Sequence, residues 1–125
     1  MLERNEIDAS PVRLRSKELG IPICDLLVKK IMELSHLENL PMTLFAACPN
    51  SETVIKAALR AAKRANAPIK FAATLNQVDL DGGYTGLNQF DFVKMVQLEA
   101  ESIDYQGPII IAIDHGGPWL KDLQS

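Results

Sequence analysis

Pro108-Ile-Ile-Ile-Ala-Ile-Asp-His115 decides the fold: a proline, a short apolar run, and polar residues where the run stops. Two earlier stretches repeat the plan, Pro41-Met-Thr-Leu-Phe-Ala-Ala-Cys48 and Pro68-Ile-Lys-Phe-Ala-Ala-Thr74. Each has the length of a strand, and proline suits a strand's first position because no ladder donor is lost there. Near-continuous apolar character, in place of strict alternation, predicts strands covered on both faces, as in a parallel sheet.

Helical patterns lie between these runs. In residues 51–65, Val54, Ile55, Ala58, Leu59 and Ala62 form one face, and Lys56, Arg60, Lys63 and Arg64 take the other. Asn50 or Ser51 can cap the start, Glu52 suits the positive end of the helix dipole, and the basic residues gather near its last turns. A second helix is predicted over residues 88–103, with Phe92, Val93, Val96, Ala100 and Ile103 as its buried stripe and Asn88-x-x-Asp91 as its start. Upstream, residues 25–37 place Leu26, Leu27, Ile31 and Leu34 on one face. Residues 11–19, between Ser10-Pro11 and Gly20, predict a further short helix, because proline favours the first helical position and glycine the position past the last.

The order is therefore helical segment, then strand–helix–strand–helix–strand, with Gly116-Gly117-Pro118 leading into an unfinished segment. Such alternation with right-handed crossovers gives an α/β fold with a parallel sheet, either open and doubly wound or closed into a barrel. Three strands are too few for either, since an eight-stranded barrel takes about 250 residues. The expected organisation is one partial domain, with residues 1–40 as an N-terminal helical segment and residues 41–125 as three βα units, the last incomplete. The sheet face left uncovered would make the isolated segment marginal, and self-association through it is one expected outcome.

The 125 residues carry 13 basic and 16 acidic side chains, a formal net charge of -3, so a nucleic-acid partner is not expected. Cys24 and Cys48 show neither a CxxC spacing nor an extracellular signal around them, which reads as reduced, cytosolic cysteine. No apolar run approaches the roughly 20 residues of a membrane span, and no secretory signal is evident. A soluble, cytoplasmic protein without a membrane partner is the expectation.

In parallel α/β folds functional groups gather where strands end and helices begin. Those ends are Cys48-Pro49-Asn50, Thr74-Leu75-Asn76-Gln77 and Asp114-His115-Gly116-Gly117, all polar. Helix caps and turns account for Asn50, Gly116 and Gly117, but less well for an acid and an imidazole after the most apolar strand. Asp114 is the candidate acid/base, and His115 the candidate metal ligand or carbonyl-polarising group. His36, in a predicted helix far from the strand ends, reads as a surface or boundary residue. Three glycines in Gly82-Gly-Tyr-Thr-Gly86 permit close backbone approach, and consecutive amides there could bind an anion. Asn76, Gln77, Gly82, Gly83 and Thr85 are the candidate substrate-binding residues, against the plain alternative of a turn-rich loop before a helix. The loop is neither a GxGxxG fingerprint nor a phosphate loop ending in Lys-Ser or Lys-Thr. Tyr84 and Trp119 are the aromatics nearest these ends, with packing as the default for both.

Ala47-Cys-Pro-Asn50, Asn76-Gln-Val78, Gly82-Gly-Tyr-Thr-Gly86 and Asp114-His-Gly-Gly-Pro118 together resemble the N-terminal portion of the non-catalytic subunit family of class II D-tagatose-1,6-bisphosphate aldolase. The ordered combination is specific where each motif alone is not, and the resemblance covers about residues 40–122. It implies the N-terminal part, about three strands, of a (β/α)8 TIM barrel in a protein about three times this length. It further implies an accessory subunit in galactitol or amino-sugar catabolism, partnered with a catalytic, zinc-dependent subunit that cleaves a sugar phosphate. In catalytic relatives an Asp-His pair at a strand end supplies a proton-transferring acid and one zinc ligand, and Asp114 and His115 occupy that motif. This chain supplies no complete zinc site. The alternatives are a metal-dependent sugar-phosphate aldolase or hexose 4-epimerase in its own right, or an inactive truncated barrel.

Overall fold

In the computed structural model residues 6–116 are described. The elements are α1 (Ser10–Leu19), α2 (Ile23–Leu37), β1 (Ala46–Ala47), α3 (Glu52–Ala65), β2 (Ile69–Ala73), α4 (Gln89–Ser102) and β3 (Ile109–Ile113). Gly117, Pro118 and Trp119, together with the expected unfinished segment, lie outside the described residues, as do residues 1–5.

Local chemistry sets the helix ends. Pro11 opens α1, and Gly20 stops it with φ of 65°. The Ser51 hydroxyl accepts from the Val54 amide to cap α3, which ends at Asn66 in the left-handed region, φ 52°. Asn88 caps α4 by accepting from the Asp91 amide at 2.9 Å. Of the predicted α3 stripe, Ile55, Ala58, Leu59 and Ala62 are buried; of the α4 stripe, Phe92, Val96 and Ala100. Val54, Val93 and Ile103 are half-buried.

The three strands are parallel in the order β1-β2-β3, with Ile69 opposite Ile109, Ala73 opposite Ile113, and Ala46 opposite Lys70. Pro68 and Pro108 stand immediately before β2 and β3. The first strand is much shorter than the eight-residue run at Pro41 suggested. Its pairing covers only Ala46 and Ala47, preceded by one bond from the Lys70 amide to the Phe45 carbonyl at 2.9 Å. As an edge strand it has one neighbour, and Met42 and Phe45 are exposed.

Both connecting helices lie on the same face of the sheet. Ile69, Phe71 and Ala73 of β2 share one core with Ile55, Leu59 and Ala62 of α3 and Phe92, Val96 and Ala100 of α4. The Phe71 and Phe92 rings meet edge-on, 6.3 Å between centroids. Ile109 and Ile111 pack against this core as well. Strand alternation and the register then place Ala46, Lys70, Ala72, Ile110 and Ala112 on the opposite face. Neither connecting helix reaches it, so the expectation of two covered faces holds for one face only, and β3 is half-buried or exposed along its length.

At the edge of the sheet where β2 and β3 begin, the Ile7 amide donates to Asn66 Oδ1 (2.7 Å) and the Ala9 amide to the Gln106 carbonyl (2.8 Å). The N-terminal segment is thereby tied to the loops entering both strands, and α1 packs on α2. Among the described residues no helix is long and apolar enough to cross a membrane.

Candidate functional site

The three polar strand ends form two separate constructions. In the first, the loop after β2 folds back on itself. Gln77 is buried, its Oε1 accepts from the Thr74 amide at 2.8 Å, and its carbonyl accepts from the Thr85 hydroxyl (2.5 Å) and the Thr85 amide (3.3 Å). The Tyr84 amide donates to the Asn76 carbonyl at 2.8 Å. Gly83 passes so close that an added Cβ would stand 2.5 Å from the Gln77 carbonyl oxygen, and its φ of 51° is already in the left-handed region. Val78 and Leu87 form a parallel bridge that closes the loop.

The amide donors of this loop are engaged internally: Gly82 with the Asp79 carbonyl at 2.8 Å, Gly83 with Asp81 Oδ1 at 3.0 Å, and Tyr84 and Thr85 as above. An anion arriving there would compete with bonds already made. Of the residues nominated for substrate, Gln77, Gly82, Gly83 and Thr85 are brought together as parts of the loop's own frame, and the Asn76 side chain stands exposed at its surface.

The second construction spans the sheet. The Asp114 amide continues the ladder by donating to the Ala73 carbonyl at 2.9 Å, which fixes the residue at the end of β3. His115 follows with φ of 53° and a side chain 69% exposed. One carboxylate oxygen of Asp114 lies 3.8 Å from His115 Nε2, and the other 3.9 Å from Cys48 Sγ. Asp114 therefore stands between a thiol and an imidazole at a solvent-facing strand end.

Cys48 belongs to this group, and sequence reasoning took it only as an ordinary reduced thiol. The available signal was its place as the first polar residue after β1. Both cysteines are free thiols, and His36 is exposed in the last turn of α2, as its helix position predicted.

His115 offers one nitrogen donor to a metal. Zinc takes at least three protein ligands, and among the described residues no three His, Cys, Asp or Glu side chains converge on one point. The described residues do not by themselves make a zinc centre.

The family model described as "D-tagatose-1,6-bisphosphate aldolase subunit GatZ/KbaZ-like" matches residues 28–124. Among solved structures, the chain is similar to one titled "Crystal structure of a probable tagatose 6 phosphate kinase from Sinorhizobium meliloti 1021", at 39% identity and a TM-score of 0.52. The match covers 62% of this chain and 20% of that one, so it spans a minor part of the longer protein's length.

Proposed function

Since the chain belongs to the D-tagatose-1,6-bisphosphate aldolase subunit GatZ/KbaZ-like family, we propose that it acts as the accessory, non-catalytic side of a class II tagatose-bisphosphate aldolase. Its partner is a catalytic subunit that cleaves the sugar bisphosphate, and its role is to support that subunit's activity and stability in the cytoplasm. The family match over residues 28–124 carries this reading.

The architecture proposed is a sector of a (β/α)8 barrel, with residues 6–40 as a helical lead-in and three βα units after it. Sequential strand order with both connecting helices on one face is the arrangement a sector of barrel wall requires, and one half of a doubly wound sheet shares it. Cys48 and Asp114 follow strands two apart in the sheet, roughly 10 Å at 4.7–4.9 Å per strand, yet their side chains approach to 3.9 Å. Both side chains leave the same face of the sheet, the face a barrel would turn inward. The open face would be closed by further barrel strands, with self-association of the chain as the alternative.

Co-expression with a catalytic class II tagatose-bisphosphate aldolase subunit tests the reading. Higher aldolase activity or thermal stability of that subunit is expected, and no change in either removes the accessory role.

A second reading rests on the Asp114 carboxylate held between Cys48 and His115. In it the protein is a sugar-phosphate aldolase or hexose 4-epimerase in its own right. Asp114 moves the proton, His115 would be one of the ligands of a zinc ion, and Asn76, Gln77, Gly82, Gly83 and Thr85 line the substrate. Zinc there would polarise the substrate carbonyl when bound. Turnover of a sugar phosphate that survives Asp114→Asn unchanged removes this reading.

A further inference from the structure

We propose that the open face of the sheet packs on the same face of a second copy of this chain, with the strands of the two copies running in opposite directions, so that Lys70 of each meets Asp114 of the other. This gives the self-association named above one specific form. It needs no aldolase partner, so its failure would leave the accessory reading standing.

The open face carries short apolar side chains and two charges. Ala46, Ala72, Ile110 and Ala112 supply the apolar part. Lys70, in the middle strand, is half-buried, and among the described residues its side chain makes neither an ion pair nor a hydrogen bond. Asp114, at the end of β3, has a side chain 39% exposed. A layer laid over Lys70 without an acid would bury an unpaired ammonium, which costs far more than burying a paired one. Whatever covers this face must therefore bring a carboxylate to the level of Lys70.

A second copy does so in one orientation. Lys70 stands opposite Ile110, and Asp114 follows Ile110 by four residues, so ammonium and acid are roughly 13 Å apart along the strands. Midway between them is the row of Ala72 and Ala112. Two kinds of two-fold axis can lay the face on itself. An axis parallel to the strands stacks β2 on β2 and sets Lys70 against Lys70. An axis across the strands, through the Ala72–Ala112 row, reverses strand direction and carries Asp114 of the second copy to the level of Lys70, one strand to the side. The gap of about 10 Å between packed sheets is within the combined reach of a lysine and an aspartate side chain. Two identical pairs result, as an isologous interface requires. Because Ala46 is opposite Lys70, Cys48 is level with Ala72, and the same axis sets the exposed Cys48 thiols of the two copies across from each other.

Sedimentation of the full chain over a concentration series tests this. A reversible dimer is expected. Lys70→Glu and Asp114→Lys should each weaken it at least about thirtyfold, and the chain carrying both should recover it. A monomer at every concentration, a dimer indifferent to the single changes, or a double variant no tighter than the singles overturns the proposal. A second measurement alters neither charge: in a Cys24→Ser chain, a short bismaleimide should join two copies through Cys48 under dimer-forming conditions. A dimer that sediments as such but gives no Cys48 cross-link has some other packing and overturns the proposal as well.

Discussion

Gly83 has φ of 51°, and a methyl group added there would meet the Gln77 carbonyl oxygen at 2.5 Å, with backbone on both sides of the contact. Gly83→Ala is therefore expected to cost about 1–3 kcal/mol, read as a lower denaturation midpoint. Gly86→Ala, at φ of 79° but in open space, should fall at the low end of that range. Equal losses would mean that the close approach contributes nothing. Tyr105 is the other residue whose environment sets a measurable quantity. It is buried, its hydroxyl donates to the Ala67 carbonyl at 2.7 Å, and burial raises its pKa to about 12. The unfolded phenol ionises near pH 10 while the folded one stays neutral, so its contribution is whole below pH 10 and is lost as pH rises from about 10 to about 12. Stability measured across that window should fall, and the part due to Tyr105 should be absent in Tyr105→Phe. An identical slope in both proteins would contradict the assignment. At this scale the sequence displayed Gly83 and the Asp114-His115 pair plainly. It could not display Cys48 beside Asp114, because that contact crosses from β1 to β3 and depends on the order and register of the strands. Nor could it display the Gln77 and Thr85 bonds, which exist only once the loop has closed.

The helices were legible because their apolar residues repeat at the helical period and their ends carry capping chemistry: Ser51, Asn66, Asn88 and the Pro11/Gly20 pair. β2 and β3 were legible for a related reason, each being a short apolar run opened by proline. β1 was not, because an apolar run says nothing about whether a neighbour is present to pair with, and residues 41–44 have no ladder. Element-level stability should follow the core just described. Leu59 is fully buried in α3 against the sheet, so Leu59→Ala is expected to cost about 2–5 kcal/mol. Leu98 on α4 is 54% exposed, and Leu98→Ala should stay within about 0.5 kcal/mol. Denaturant titration of both variants checks the helix orientation. A large loss at Leu98 with little at Leu59 would place the wrong face of each helix on the sheet.

For the whole molecule, the feature that organises everything else is the sheet with both connecting helices on one side. That arrangement puts Asp114 and Cys48 together on the open face and leaves Lys70, Ile110 and Ala112 facing the same way. The parallel order could be expected from the alternation of elements. The one-sidedness could not, since the apolar content of β2 and β3 is the same whether the second layer is helix or further strand. Under the proposed function that open side is the wall of a barrel that works beside a catalytic aldolase subunit, and the family assignment is what motivates the proposal. The heat-inactivation half-life of a catalytic class II tagatose-bisphosphate aldolase subunit, measured with and without equimolar purified chain, tests this most directly. The account predicts a longer half-life or a higher specific activity with the chain present, retained by Asp114→Asn. An unchanged half-life and activity, or support that disappears with Asp114→Asn, would contradict an accessory, non-catalytic role.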